Sequence, residues 1–257
     1  MIVGDVHGAY RGLEILLREV GAIDERGDRL DTHFVAQLGD LVHLGDNVRE
    51  ADVHALELGQ RWIDLQVLGN HEGFYTHRLE SCWWTHMHRP DQVHPDLLTR
   101  LPQLASKGRY HIAASIDGWI LTHAGIHPHH QQALLEESGE APEAVVQTLT
   151  RIFNDRLANG RRVPIIDSSG PIRGYDREAG GVLWCDFTEQ EETVDRNRLH
   201  QIVGHTPQDR APRLVGESIW AADMGGARTG TMSALVKEAG RDEWVPMVLP
   251  APDPLVA

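Results

Sequence analysis

Five short blocks along the 257-residue chain set glycine or threonine beside side chains that ligate metals. They read Gly4-Asp5-Val6-His7-Gly8, Gly39-Asp40, Gly69-Asn70-His71-Glu72, Thr122-His123-Ala124-Gly125 and Gly204-His205-Thr206-Pro207. In an extended chain residues i and i+2 point to one face, so Asp5 and His7 can hold one ion between them. The donors are carboxylate, imidazole and amide, without thiolate. That set suits Mn²⁺, Fe or Zn²⁺ and argues against an iron–sulfur cluster or a structural cysteine zinc site. Two acids, one amide and three imidazoles are more than one tetrahedral ion takes. Two ions sharing one carboxylate would use them all. Cations roughly 3.5–4 Å apart form a clamp for in-line displacement at phosphorus. A Gly-Asp or Gly-Asn pair alone is usually a turn; the signal lies in the combination.

These blocks need elements to carry them. Met1 to Gly8 reads as a short strand entering a turn, and Leu13, Leu16, Leu17 and Val20 mark one face of a helix. The run Phe34–Asp40, a helical stretch from Val48 to Trp62 and the run Leu65–His71 complete a β-α-β-α-β pattern, which builds a parallel sheet. Trp119–His123 reads as another strand, and Val145, Leu149, Ile152 and Phe153 as a helix. Three more strands are expected over Leu199–Val203, Ser218–Ala222 and Thr231–Val236. Residues 73–115 read as mixed helix and loop, and 159–181 as a loop or small insert. Each metal-type block then falls at a strand's carboxyl end, where α/β sheets build their sites.

Composition is that of a globular protein, with 41% hydrophobic residues and 25 glycines. A formal net charge of −14 argues against nucleic acid or anionic membrane as a partner, since phosphate contacts need surplus Lys and Arg. No apolar run approaches a membrane span. Two cysteines, Cys82 and Cys185, make no disulfide framework. The first residues show no basic segment or cleavage site, so a cytoplasmic protein is expected. One domain is expected over residues 1–249, with a proline-rich tail over 250–257.

The five blocks, in this order over residues 4–206, resemble the motifs of the calcineurin-like metallophosphoesterases. Val182-Leu183-Trp184 and Ala222-Asp223-Met224-Gly225 are similar to the phosphoprotein-phosphatase-like branch, which includes bacterial diadenosine tetraphosphate hydrolases. Gly-His-Thr-Pro also lacks the second histidine of the Gly-His-x-His block found in many phosphodiesterase branches. The resemblance implies an α/β fold of two packed mixed β-sheets flanked by helices. It implies that Asp5, His7 and Asp40 hold a first metal ion, with Asp40 bridging, and that Asn70, His123 and His205 join Asp40 at a second. Mn²⁺ leads as the metal, with Fe or Zn²⁺ as alternatives. A water between the ions would attack phosphorus, and His71 would protonate the leaving oxygen as general acid. The implied activity is hydrolysis of phosphoric esters, foremost phosphomonoesters or phosphoproteins. Dinucleoside polyphosphates and phosphodiesters are the alternative substrates, so the expected partner is a phosphoprotein, small phosphoester or nucleotide.

The chain departs from that branch at Gly39-Asp40-Leu41-Val42-His43-Leu44-Gly45. Where the branch has an acid-orienting Asp and a phosphate-gripping Arg, this chain has His43 and Leu44. Leucine cannot imitate the arginine fork; Arg49, Arg173 and Arg196 are candidate substitutes. A non-catalytic metal-binding scaffold is the reading outside the enzyme class, and the full ligand set speaks against it. Among other features, His127-Pro128-His129-His130 reads as a solvated loop and Glu189, Glu191 and Glu192 as a solvated face. His77, His86, His88 and His94 read as surface or rim residues, and Trp83-Trp84 as core.

Overall fold

The computed structural model describes residues 1–42, 49–77, 95–174, 178–225 and 231–249. His43, Leu44, Cys82, Trp83, Trp84, His86, His88, His94 and the tail from residue 250 lie outside the described residues, as does the side chain of Arg49.

The first half alternates strand and helix as its hydrophobic pattern dictates. Strand β1 (Ile2–Val3) leads to α1 (Tyr10–Val20), β2 (Ala36–Gln37) to α2 (Arg49–Trp62), and β3 (Leu65–Val67) to α3 (Asn70–His77) and α4 (Pro95–Ser106). Then come β4 (Tyr110–His111), β5 (Ala114–Ile116) and β6 (Trp119–Thr122). Helices α5 (Pro128–Ser138), α6 (Pro142–Asn159), α7 (Pro164–Asp167) and α8 (Phe187–Glu191) follow, with a 3₁₀ turn at Val194–Arg196. The chain closes with β7 (Gln201–Val203), β8 (Arg213–Val215), β9 (Ile219–Ala221), β10 (Met232–Val236) and β11 (Val245–Leu249).

These strands make two mixed sheets. One has the order β11-β10-β1-β2-β3-β4, and the other β5-β6-β7-β9-β8. The β1–β2–β3–β4 ladder is parallel, as is β6–β7–β9, while β10 and β11 add antiparallel beside β1. Alternation along each strand splits its side chains between two layers. Ile2, Ala36 and Val67 from the first sheet meet Leu121, Ile202 and Trp220 from the second in one buried cluster. Val3 and Ile120, each one position away from a member of that cluster, join the helices instead. The result is an α/β sandwich with helices outside it.

Several expectations change here. The strand expected over Thr231–Val236 forms over Met232–Val236 and pairs antiparallel with β1 in the first sheet. The run from Phe34 pairs over only two residues, with Phe34 itself exposed. His127-Pro128-His129-His130 is not a loop. Pro128 takes the first position of α5, and the His127 side chain caps it by accepting the His129 amide at 3.1 Å. His127 and His130 are both buried. His77 stacks on Phe153 with ring centroids 5.3 Å apart rather than sitting at the surface. Glu189 is buried because its carboxylate accepts the Ile172 and Gly180 amides at 3.2 and 3.0 Å. The stretch over 159–181 contains the short helix α7, anchored by a forked Arg156–Asp167 ion pair at 2.8–3.2 Å.

Candidate metal centre

Every metal-type block lies just past the carboxyl end of a parallel strand: Asp5 and His7 after β1, Asp40 after β2, Asn70 and His71 after β3, His123 after β6 and His205 after β7. The loops are cross-linked by their backbones. The Val6 and His7 amides donate to Asp40 O at 3.0 and 2.8 Å, and Gly204 N donates to His123 O at 2.7 Å. Gln37, fully buried on β2, donates through Nε2 to Gly4 O at 3.2 Å and also to Gly39 O.

Five non-glycine residues among those described have positive φ, and His7 (46°), Asp40 (56°) and His205 (68°) are three of them. The other two, Asp117 and Glu217, turn the β5–β6 and β8–β9 hairpins. Left-handed backbone at such residues costs about 1–3 kcal/mol each and persists only where the surroundings over-determine it. Here it turns each side chain back over its strand end.

The side chains meet on Asp40. Its Oδ1 accepts the His71 amide at 2.9 Å. Its Oδ2 lies 3.3 Å from His123 Nε2, 3.6 Å from His71 Nε2 and 3.8 Å from His7 Nε2. His7 Nε2 is also 3.7 Å from Asp5 Oδ2. On the other side, His123 Nδ1 donates to Leu38 O at 2.9 Å, which leaves its Nε2 facing Asn70 Oδ1 at 2.7 Å and His205 Nδ1 at 3.0 Å. Two groups thus converge closely enough to hold an ion, His7–Asp40–His71 and Asp40–His123–His205, and they share Asp40. Asp5 borders the first through His7 and receives the His205 amide on both oxygens at 3.0 and 3.1 Å. Asn70 borders the second through His123.

Glycines make room for this. A Cβ on Gly69 would lie 2.6 Å from Glu72 Oε2 and overlap Asp40, and one on Gly204 would overlap Asp5 Oδ1. Either side chain would displace a carboxylate of the centre.

Electrostatics describe an acidic cluster short of positive charge. Burial, then Asp223 and Asp40, pushes Asp5 well above the usual carboxylate range. Asp40 goes the other way: burial opposes its charge, but His123, His71 and His7 outweigh burial and hold it well below that range. Burial also works against charging His123, and Asp40 overrides it to raise the ring. Burial, then Arg173 and His123, holds His205 well below the ordinary imidazole range. One proton at His123 Nε2 can serve only one of the acceptors around it. A cation serves all of them, and the oxygen and nitrogen donor set fits Mn²⁺, Fe or Zn²⁺.

Glu72 was legible only as the last letter of its block. It is fully buried, and its carboxylate accepts the Asp40 amide at 2.8 Å and the Val42 amide at 3.1 Å. It therefore holds the left-handed turn that aims Asp40. Burial and the neighbouring Asp40 push its own carboxyl up to about 7. Asp223, also buried, accepts the Gly225 amide at 2.7 Å and bears on Asp5. The Trp184 ring stands edge-on to His205, with centroids 6.0 Å apart.

A family model described as calcineurin-like phosphoesterase matches residues 1–209. No curated protein matches the chain. Similar solved structures include one assigned as a diadenosine tetraphosphatase, 19% identical, covering 97% of this chain and 92% of that one with a TM-score of 0.53. A cold-active protein-tyrosine phosphatase of a psychrophilic Shewanella species is 19% identical over 87% of this chain and 70% of its own, with a TM-score of 0.54. A protein serine/threonine phosphatase from Saccharomyces cerevisiae, itself similar to human PP5, is 15% identical over 98% and 79%, with a TM-score of 0.56. At these identities the likeness establishes the shared fold. No helix among the described residues is long and apolar enough to cross a membrane.

Proposed function

The chain belongs to the calcineurin-like phosphoesterases, hydrolases of phosphoric esters, and from that premise we propose that it cleaves phosphomonoesters with two divalent cations, both of which Asp40 would help to hold. Asp5, His7 and Asp40 would hold the first, and Asp40, Asn70, His123 and His205 the second. When bound, such a pair lowers the pKa of water and neutralises charge on phosphoryl oxygens. The chain's own groups do the rest. The Leu38 carbonyl fixes the His123 tautomer, Glu72 aims Asp40, and the Asp5 carboxylate orients the His205 backbone. His71 stands next to His7, with ring centroids 4.7 Å apart, and its Nε2 lies near the shared carboxylate oxygen. Protonated there, it can donate to the departing ester oxygen.

The observation that carries this reading is one carboxylate oxygen, Asp40 Oδ2, within 3.8 Å of three imidazole nitrogens that follow three different strands. The test is a Mn²⁺-loaded panel of a monoester, a diester, a phosphopeptide and a dinucleoside tetraphosphate, with metal counted by mass spectrometry. Two ions per chain, lost together in Asp40→Ala, and preferred monoester turnover are expected. Preference for the dinucleotide or the diester would move the substrate class. Bound metal without any hydrolysis would favour a scaffold, and hydrolysis by metal-free Asp40→Ala would refute the centre.

A further inference from the structure

A phosphoryl group needs hydrogen-bond donors on its non-bridging oxygens as well as cations. The arginine that borders the centre among the described residues is Arg173, on the segment between α7 and α8. Its Nη2 donates to Thr206 Oγ1 at 3.3 Å, beside His205, and lies 3.0 Å from Asp186 Oδ2. Its charge bears directly on His205. Both of these contacts use Nη2. Nε is buried and has no hydrogen-bond partner among the described residues, although a buried donor is ordinarily satisfied. The guanidinium fork therefore keeps donors in reserve at the rim of an anion-handling site. Buried Glu189 accepts the amide of Ile172, the residue directly before Arg173, at 3.2 Å. Arg196, by contrast, is exposed and lies near His127.

Resting on the hydrolytic reading above, we propose that Arg173 is the group that grips the substrate phosphate, donating to a non-bridging oxygen of the phosphoryl group and of the released orthophosphate. The ion pair with Asp186 parks the fork at the rim until an oxyanion takes the free donors. A guanidinium in this place compensates for the leucine at position 44 from a different part of the chain.

The test is calorimetric titration of orthophosphate into the Mn²⁺-loaded full chain, with metal content measured alongside. Arg173→Ala should weaken phosphate binding roughly 10- to 100-fold at unchanged metal content, the loss typical of a charge-assisted hydrogen bond. Arg173→Lys should weaken it too, since an ammonium lacks the fork. Asp186→Asn breaks the same ion pair but spares the guanidinium, and should bind at least as tightly as the wild type. Equal weakening in Arg173→Ala and Asp186→Asn would reduce Arg173 to a strut and overturn the proposal. Wild-type binding by Arg173→Ala would overturn it while the reading of the centre stands, and no phosphate binding by the wild type would sink both. If Arg173→Ala fails to fold, weakening confined to Arg173→Lys upholds the contact. Any other pattern in that pair of variants overturns it.

Discussion

Glu72→Gln separates the fold's needs from those of the centre. The native carboxylate is fully buried and accepts two amides, from Asp40 at 2.8 Å and Val42 at 3.1 Å. Glutamine keeps one acceptor oxygen and turns an NH₂ toward the other amide. The lost hydrogen bond to a charged acceptor costs about 1.5–3 kcal/mol. Against this stands relief of a buried charge. A carboxyl raised from 4.5 to about 7 in the metal-free protein is destabilised as an anion by roughly 3 kcal/mol. The two oppose each other, so unfolding of metal-free Glu72→Gln by denaturant at pH 7 should match wild type to within about 1.5 kcal/mol. Metal binding has no such compensation. One of the two amides that hold the turn at Asp40 loses its acceptor, and the cation loses a nearby negative charge. Residues that orient a ligand are worth about 10–100-fold in metal affinity, so the Mn²⁺ dissociation constant should rise by that factor. Calorimetric titration reads it directly. An unchanged dissociation constant would refute the positioning role, and an affinity loss only in step with a collapsed metal-free fold would reduce Glu72 to a structural residue.

The remaining predictions are brief. His71→Ala should retain both metal ions yet lose turnover most for esters with poor leaving groups; loss of metal would make His71 a ligand instead. Gly69→Ala should abolish metal uptake by pushing its Cβ into Asp40 and Glu72, as mass spectrometry of the purified variant would report. His127 is held down to about 4, by burial first and then by His130. Its stabilisation is full above the unfolded value near 6.5 and lost as pH falls toward 4, about 2 kcal/mol by pH 5. His127→Asn keeps the cap without titrating, so denaturant unfolding should show the variant gaining that amount on the wild type between pH 7 and 5; parallel curves would refute the argument.

The centre was far more legible than the scaffold around it. A glycine beside a ligand-type residue at the end of an apolar run is a local pattern, and all seven candidate side chains are brought to one place. The strand pairings are not local. Strand β10 reads as an apolar run wherever it pairs, and only the folded chain returns it to β1. Strands of two or three residues, such as β4 and β5, are too short for any alternation to register. Buried polar groups mislead for a similar reason. Glu189 looks solvated within its acidic run because the amides it serves are 9 and 17 residues away. Pro128 was the readable sign of α5, since proline favours the first helical position, but the histidines around it suggested a loop.

The centre is also a joint between layers. Asp5, His7, Asp40 and Asn70 follow strands of the first sheet, whereas His123 and His205 follow β6 and β7 of the second. The bonds joining them cross the sandwich: His205 N to Asp5, His123 Nδ1 to Leu38 O, and His123 Nε2 to Asn70. Neither sheet alone holds a full set of donors, so the centre exists only once the interface of Ile2, Val67, Leu121 and Ile202 has closed. Backbone anchors explain how three left-handed residues persist. The His7 amide donates to Asp40 O and the Asp40 amide to Glu72, both past strands of the first sheet, whereas the His205 amide donates to Asp5 across the interface. Strain of about 1–3 kcal/mol per residue is large against a total stability of roughly 5–15 kcal/mol. A cation bound at the proposed centre only by the folded sandwich would add its binding free energy to the fold and offset that strain.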